Sequence, residues 1–115
     1  MIQETELLAK NIKEFYKEGN NSLSRESFNS AASLFFKALA VLVDWHLLSK
    51  EGFIPKSHSD RFRILQKKYN EVYTILDKDF PTYQKSYNIN ISKEEAEVLK
   101  DDVKTIAEKV GFKLD

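Results

Sequence analysis

Apolar residues recur at three- and four-residue steps along most of this chain, with polar residues between them, and this spacing predicts helices throughout. Leu7, Leu8, Ile12, Phe15 and Tyr16 place a first helix from about Gln3 to Glu18. Gly19-Asn20-Asn21-Ser22 is expected to stop it, because glycine and asparagine tolerate the left-handed conformation that ends helices. The second helix carries the strongest pattern. Ser22 or Ser24 supplies its cap, it runs to about Lys50, and Gly52 terminates it. One of its stripes is Phe28, Ala31, Ala32, Phe35, Ala38, Leu39, Leu42 and Trp45; a second is Leu34, Val41 and Leu48. A helix apolar around most of its circumference is covered on several sides. Twenty-odd residues make a rod of roughly 40 Å, long enough to organise a bundle and to offer part of its surface to a second subunit.

Phe53-Ile54-Pro55-Lys56 reads as a loop, since Pro55 disfavours helix at Ile54. Ser57-His58-Ser59-Asp60 reads as the start of a third helix, with Ser57 as cap and Phe62, Leu65 and Tyr69 facing inward. Asn70 breaks or bends the chain before a fourth helix carrying Val72, Ile75, Leu76 and Phe80. Pro81 is expected to end or kink that helix, with a short turn over Thr82 to Tyr87 and a loop over Asn88 to Ile91. Ser92-Lys93-Glu94-Glu95 is a capping box for a fifth helix, whose apolar face is Ala96, Leu99, Val103, Ile106, Ala107 and Val110 and whose stop is Gly111. The expected architecture is an all-α, up-and-down bundle of about five helices around a long central second helix, forming one domain over residues 1–115.

Charge narrows the function classes. The 18 basic residues balance the 18 acidic ones, which argues against a dedicated non-specific DNA binder while leaving room for a local basic patch. The absence of cysteine excludes disulfides, thiolate metal sites and a cysteine nucleophile. Met1-Ile2-Gln3-Glu4-Thr5-Glu6 lacks the basic start and apolar run of a signal peptide, and Ala38 to Val43 is too short to span a bilayer, so a cytoplasmic protein without membrane attachment is expected.

Two histidines bound the candidate chemistry. Asp44 and His46 stand two apart on one helix and do not share a face, so they do not pair with each other. Asp44 either bonds to a neighbouring helix or water, or is a polar group in a nucleotide- or RNA-binding groove. His58 lies at a helix N-terminus, where backbone amides favour anions, with Arg61 and Arg63 one turn on. Lys56, His58, Arg61, Arg63, Lys67 and Lys68 make this the most basic stretch, read either as phosphate contacts or as ordinary surface charge. Tyr69, Tyr73, Tyr83 and Tyr87 offer stacking platforms or simply core packing. No metal site or cofactor is expected, because the histidines lack matched ligand spacing and Glu94, Glu95, Glu97, Asp101 and Asp102 spread around their helix. Gly-rich phosphate loops and the GxSxG and HExxH motifs are missing.

The order of elements resembles the HEPN family, the small helical domain of prokaryotes and higher eukaryotes, in its compact stand-alone members. The likeness is carried by Ser30-Ala31-Ala32-Ser33-Leu34-Phe35-Phe36-Lys37-Ala38-Leu39, by Asp44 seven residues beyond Lys37, by His58-Ser59-Asp60-Arg61-Phe62-Arg63-Ile64-Leu65, and by Tyr83-Gln84-Lys85-Ser86-Tyr87 before the last helix. Many members are metal-independent ribonucleases whose signature is an arginine followed, after four to six residues, by a histidine. In such a pair histidine moves a proton and arginine steadies phosphate charge. This chain departs from the signature: none of Arg25, Arg61 and Arg63 precedes a histidine at that distance, and Ser86 stands where many relatives carry the arginine.

What the resemblance implies is therefore a non-catalytic HEPN-like homodimer that binds a nucleotide, an RNA or a small nucleotidyltransferase partner in a toxin–antitoxin-like arrangement. Its expected contact residues are Asp44, His58, Arg61 and Arg63, and no catalytic residue is carried over from the family. The alternatives are a ribonuclease with a non-standard site, using His58 as base and Arg61 or Arg63 as phosphate anchor, and a purely structural interaction bundle.

Overall fold

A computed structural model describes residues 3–115. Met1 and Ile2, the first residues of the stretch read as lacking a leader, lie outside the described residues. Five helices follow one another: α1 (Glu4–Ser24), α2 (Phe28–Glu51), α3 (His58–Lys68), α4 (Asn70–Lys85) and α5 (Lys93–Val110). Among the described residues there is no strand, and the fold is an all-α bundle.

The rod at its centre is α2, with 24 residues. It packs on α1, α4 and α5. Ala31, Ala32, Phe35, Ala38, Leu39, Leu42 and Leu47 are completely buried. By length and composition α2 has what a bilayer-crossing helix needs, yet most of that apolar surface is spent inside the bundle. The leftover stripe of Leu34, Val41 and Leu48 is only partly covered. Gly52, at φ 86°, closes the rod by donating its N–H to the carbonyl of Leu48 at 3.1 Å.

The first boundary differs from the sequence reading. α1 does not stop at Glu18 but runs to Ser24, so Ser22 and Ser24 belong to α1 and Ser27 stands before α2. Gly19 breaks nothing because its role is proximity. A β-carbon there would sit 2.6 Å from Phe35 Cε1, so only glycine lets α1 approach α2 this closely. The true stop is at Glu26, at φ 60°. Ser27 N–H donates to Ser22 O at 2.8 Å and Glu26 N–H to Leu23 O at 3.0 Å, a paired closure that satisfies the last carbonyls of α1. In an ordinary mid-helix position alanine is favoured over glycine by about 1 kcal/mol. Gly19→Ala is instead expected to lose about 1–2 kcal/mol, because overpacking a core costs roughly 1–3 kcal/mol and Phe35 is fully buried. Urea denaturation of the two proteins measures it.

The second difference is at Pro81. The helix neither ends nor gives way to a separate turn there but continues to Lys85. Pro81 is exposed, so the backbone group it leaves without a partner faces water. Beyond it, the Tyr83 ring stacks on Phe36 with centroids 4.7 Å apart and anchors the last turn to α2. The other signals read as expected. Ser57 Oγ accepts from Asp60 N–H at 3.1 Å, Asn70 opens α4, Ser92 and Glu95 form the capping box, and Gly111 ends α5 at φ 76°.

Candidate functional site

Asp44 comes from the inner part of α2 and Arg61 from the first turns of α3, and they meet. Arg61 Nε donates to Asp44 Oδ1 at 2.8 Å and Arg61 Nη2 donates to Asp44 Oδ2 at 2.9 Å. Both side chains are 10 % exposed. This is a two-pronged guanidinium–carboxylate pair, the geometry in which arginine binds a carboxylate most strongly. The remaining nitrogen of the fork, Nη1, lies 2.8 Å from His58 Nδ1. Arginine offers only donors, so His58 Nδ1 must accept and the ring proton sits on Nε2. Burial, and then the adjacent Arg61 charge, hold the His58 pKa below its ordinary value, with Asp44 opposing them.

Aromatic rings set the position of His58. Its ring lies 5.3 Å from Phe80, 6.2 Å from Phe36 and 6.2 Å from Tyr83. Phe36 is the hub, since it also touches Phe80 at 5.7 Å. α3 packs on α4, and much of its hold on α2 comes from long side chains. Besides Arg61, these are Lys68 Nζ on Glu51 Oε1 and the Tyr69 hydroxyl on Glu51 Oε2, each at 2.7 Å.

Three of the four site residues expected from sequence, Asp44, His58 and Arg61, therefore form one cluster, and Arg63 stands apart from it. Arg63 is on the outer face of α3, 65 % exposed, bonded to Asp60 Oδ1 at 2.9 Å. Near it, Lys56 and Lys67 have no carboxylate within 4 Å among the described residues. His46 belongs to the edge of the core, packed edge-on to Tyr69 at 5.0 Å. Of the tyrosines named above, Tyr69 and Tyr83 are tied into bonds and ring contacts and Tyr73 meets Phe62 edge-on, while Tyr87 is 71 % exposed and shares a 2.8 Å bond with the Tyr83 hydroxyl.

Two polar residues outside this list matter to the architecture. Asn29 staples the α4–α5 connection to the start of α2. Its Nδ2 donates to the carbonyls of Ser86 at 2.9 Å and Ile89 at 2.7 Å, and its Oδ1 accepts from Ile91 N–H at 2.9 Å. Nothing in the local pattern marks it, because its partners lie about sixty residues away. Asp79 is the other. It is 2 % exposed, its Oδ1 lies 3.4 Å from Lys78 Nζ, and its Oδ2 has no hydrogen-bond partner. Lys78 also holds Asp102 on α5 at 2.8 Å. Burial and the nearby Asp102 push the Asp79 carboxyl up to about 8, and Lys78 only partly opposes them.

The consequence for stability has a definite sign. Between about pH 4 and pH 8 the folded chain holds a proton on Asp79 that the unfolded chain has released, so stability falls as pH rises through that window. Asp79→Asn, which cannot ionise, is expected to raise stability by about 1–3 kcal/mol at pH 7 and to flatten that slope. Thermal melts of both proteins from pH 5 to pH 8 test this.

Among the described residues no group of three or more His, Asp or Glu side chains is placed to hold a metal ion. Comparison of the chain with known protein families, with curated proteins and with solved structures finds no significant match.

Proposed function

We propose that this chain is a non-catalytic, HEPN-like binding module of the cytoplasm that recognises a nucleotide or RNA through phosphate contacts. One observation carries the non-catalytic part. The Nδ1 lone pair of His58 is occupied by Arg61, and the other ring nitrogen already bears the proton. A general base needs a free lone pair within reach of the proton it removes. Arg61 is equally committed, with two of its bonds on Asp44. Asp44, His58 and Arg61 then serve as a clamp that fixes α3, and the phosphate contacts fall to the outward-facing Arg63, Lys56 and Lys67.

The test is a defined single-stranded RNA incubated with the pure protein. The RNA stays intact, and binding weakens steeply with added salt as phosphate contacts release counterions. Arg63→Ala weakens binding and flattens the salt dependence, while His58→Ala leaves the RNA intact. Cleavage that His58→Ala abolishes would overturn the reading in favour of a ribonuclease with a non-standard site.

A second reading, an interaction bundle, draws on the partly covered line of Leu34, Val41 and Leu48 on α2. Residues seven apart fall on one line of a helix and suit a seam with a second copy. Light scattering then gives a dimer that Val41→Lys converts to monomer; a monomeric parent removes this reading.

A further inference from the structure

Arg63 stands on the side of α3 opposite Arg61, and Ile64, partly buried against the core, lies on the flank of the helix beside it. Between this side of α3 and the loop after α2 lies a groove of about 480 Å³. That volume is in the range of small-molecule sites. Phe53 and Ile64 give the groove apolar walls, and Lys56, Arg63 and Lys67 stand around it with a single carboxylate, Asp60. Asp60 is already engaged by Arg63 at 2.9 Å. Phe53 is 46 % exposed, an aromatic ring left half in water beside two lysines without carboxylate partners among the described residues.

We infer that this groove binds a small organic anion with a flat aromatic body and a terminal acid group. The charge complementarity is direct: with Arg63 and Asp60 paired to each other, Lys56 and Lys67 leave the groove a net positive charge that favours an anion. The exposed Phe53 ring offers a face for offset stacking, which is worth about 0.5–1.5 kcal/mol beyond area burial and requires a flat partner. The volume holds a body of one or two rings. The assignment rests on the binding reading above in placing a ligand on the basic stretch, and it adds the groove and the ligand class. Phosphate monoesters and free carboxylates of the same ring share this chemistry.

The test is a ¹H–¹⁵N NMR titration of the full chain with 1-naphthyl phosphate, 1-naphthoate, decanoate and inorganic phosphate. Both naphthyl anions shift the amides of Phe53, Ile64 and Lys67 saturably at sub-millimolar ligand, and the stronger of the two identifies the acid group. Phe53→Ala and the pair Lys56→Gln/Lys67→Gln each weaken binding about tenfold, the equivalent of 1.4 kcal/mol, without altering the rest of the spectrum. The inference is overturned by an absence of saturable shifts, by shifts that survive both variants, by decanoate binding equally well, or by inorganic phosphate reproducing the effect. RNA binding without naphthyl binding overturns the groove and spares the proposed function. Naphthyl binding without RNA binding supports the groove and removes the RNA reading.

Discussion

Arg61→Met is expected to lower folding stability by about 3–5 kcal/mol, and adding Asp44→Leu is expected to restore most of it. The single change leaves the Asp44 carboxylate 10 % exposed with both oxygens stripped of their donors. A buried charge without a partner is far costlier than the pair is favourable, because desolvation is no longer offset. The double change removes both charges and fills the space with apolar side chains of similar volume, which is often neutral or stabilising. Denaturant midpoints of the parent, both single variants and the double variant form the cycle. Losses that simply add would show that the two side chains act separately. The pH dependence is tied to the same cluster. His58 resists protonation in the folded chain, so below about pH 6.5 the unfolded state binds the extra proton and stability falls as pH drops. His58→Gln lessens that acid sensitivity.

Phe36→Ala is expected to cost about 3–5 kcal/mol as well, for a different reason. Phe36 is 1 % exposed. Its ring stacks on Tyr83 at 4.7 Å with planes 17° apart, and it borders Phe80 and His58. Alanine leaves a cavity where α2, α4 and the start of α3 meet, and rings held from three helices cannot collapse into it without moving a helix. The damage is therefore directional. Hydrogen exchange accelerates in α3 and the second half of α4 more than in α1, which meets α2 at Gly19 and Phe35 and not at Phe36. A uniform rise across all five helices would show that Phe36 supports the core in general and does not dock α3 and α4 in particular.

The elements were legible where their signals are local. The α2 pattern, the Ser57 cap, the Ser92–Glu95 box and the glycines at 52 and 111 all act within a few residues of themselves. Gly19 as a stop, and Pro81 as a helix end, misled for one shared reason. Each is locally a breaker, and in each case a contact from another helix decides: Phe35 against Gly19, Phe36 against Tyr83 beyond the proline. The stop at Glu26 is invisible to the same logic, because a glutamate at positive φ carries no compositional mark. At the candidate site the sequence pointed to Asp44, His58, Arg61 and Arg63 as residue types. It did not show that three of them bind one another across 17 positions of chain while the fourth faces outward. Asp79 escaped notice altogether, since one more acidic residue on an amphipathic helix reads as surface until α5 is laid over it.

Arg61 is held inside the protein by Asp44 and, towards the surface, by His58. The chain has only three arginines, so their side-chain Nε–H signals in a ¹H–¹⁵N spectrum give the most direct test. Arg61 should give one sharp, shifted Nε–H resonance that exchanges slowly with water from pH 6.5 to pH 8, while the exposed Arg25 and Arg63 exchange rapidly. An Arg61 signal that exchanges as fast as those two would contradict the clamp and return the arginine to a free, ligand-facing role.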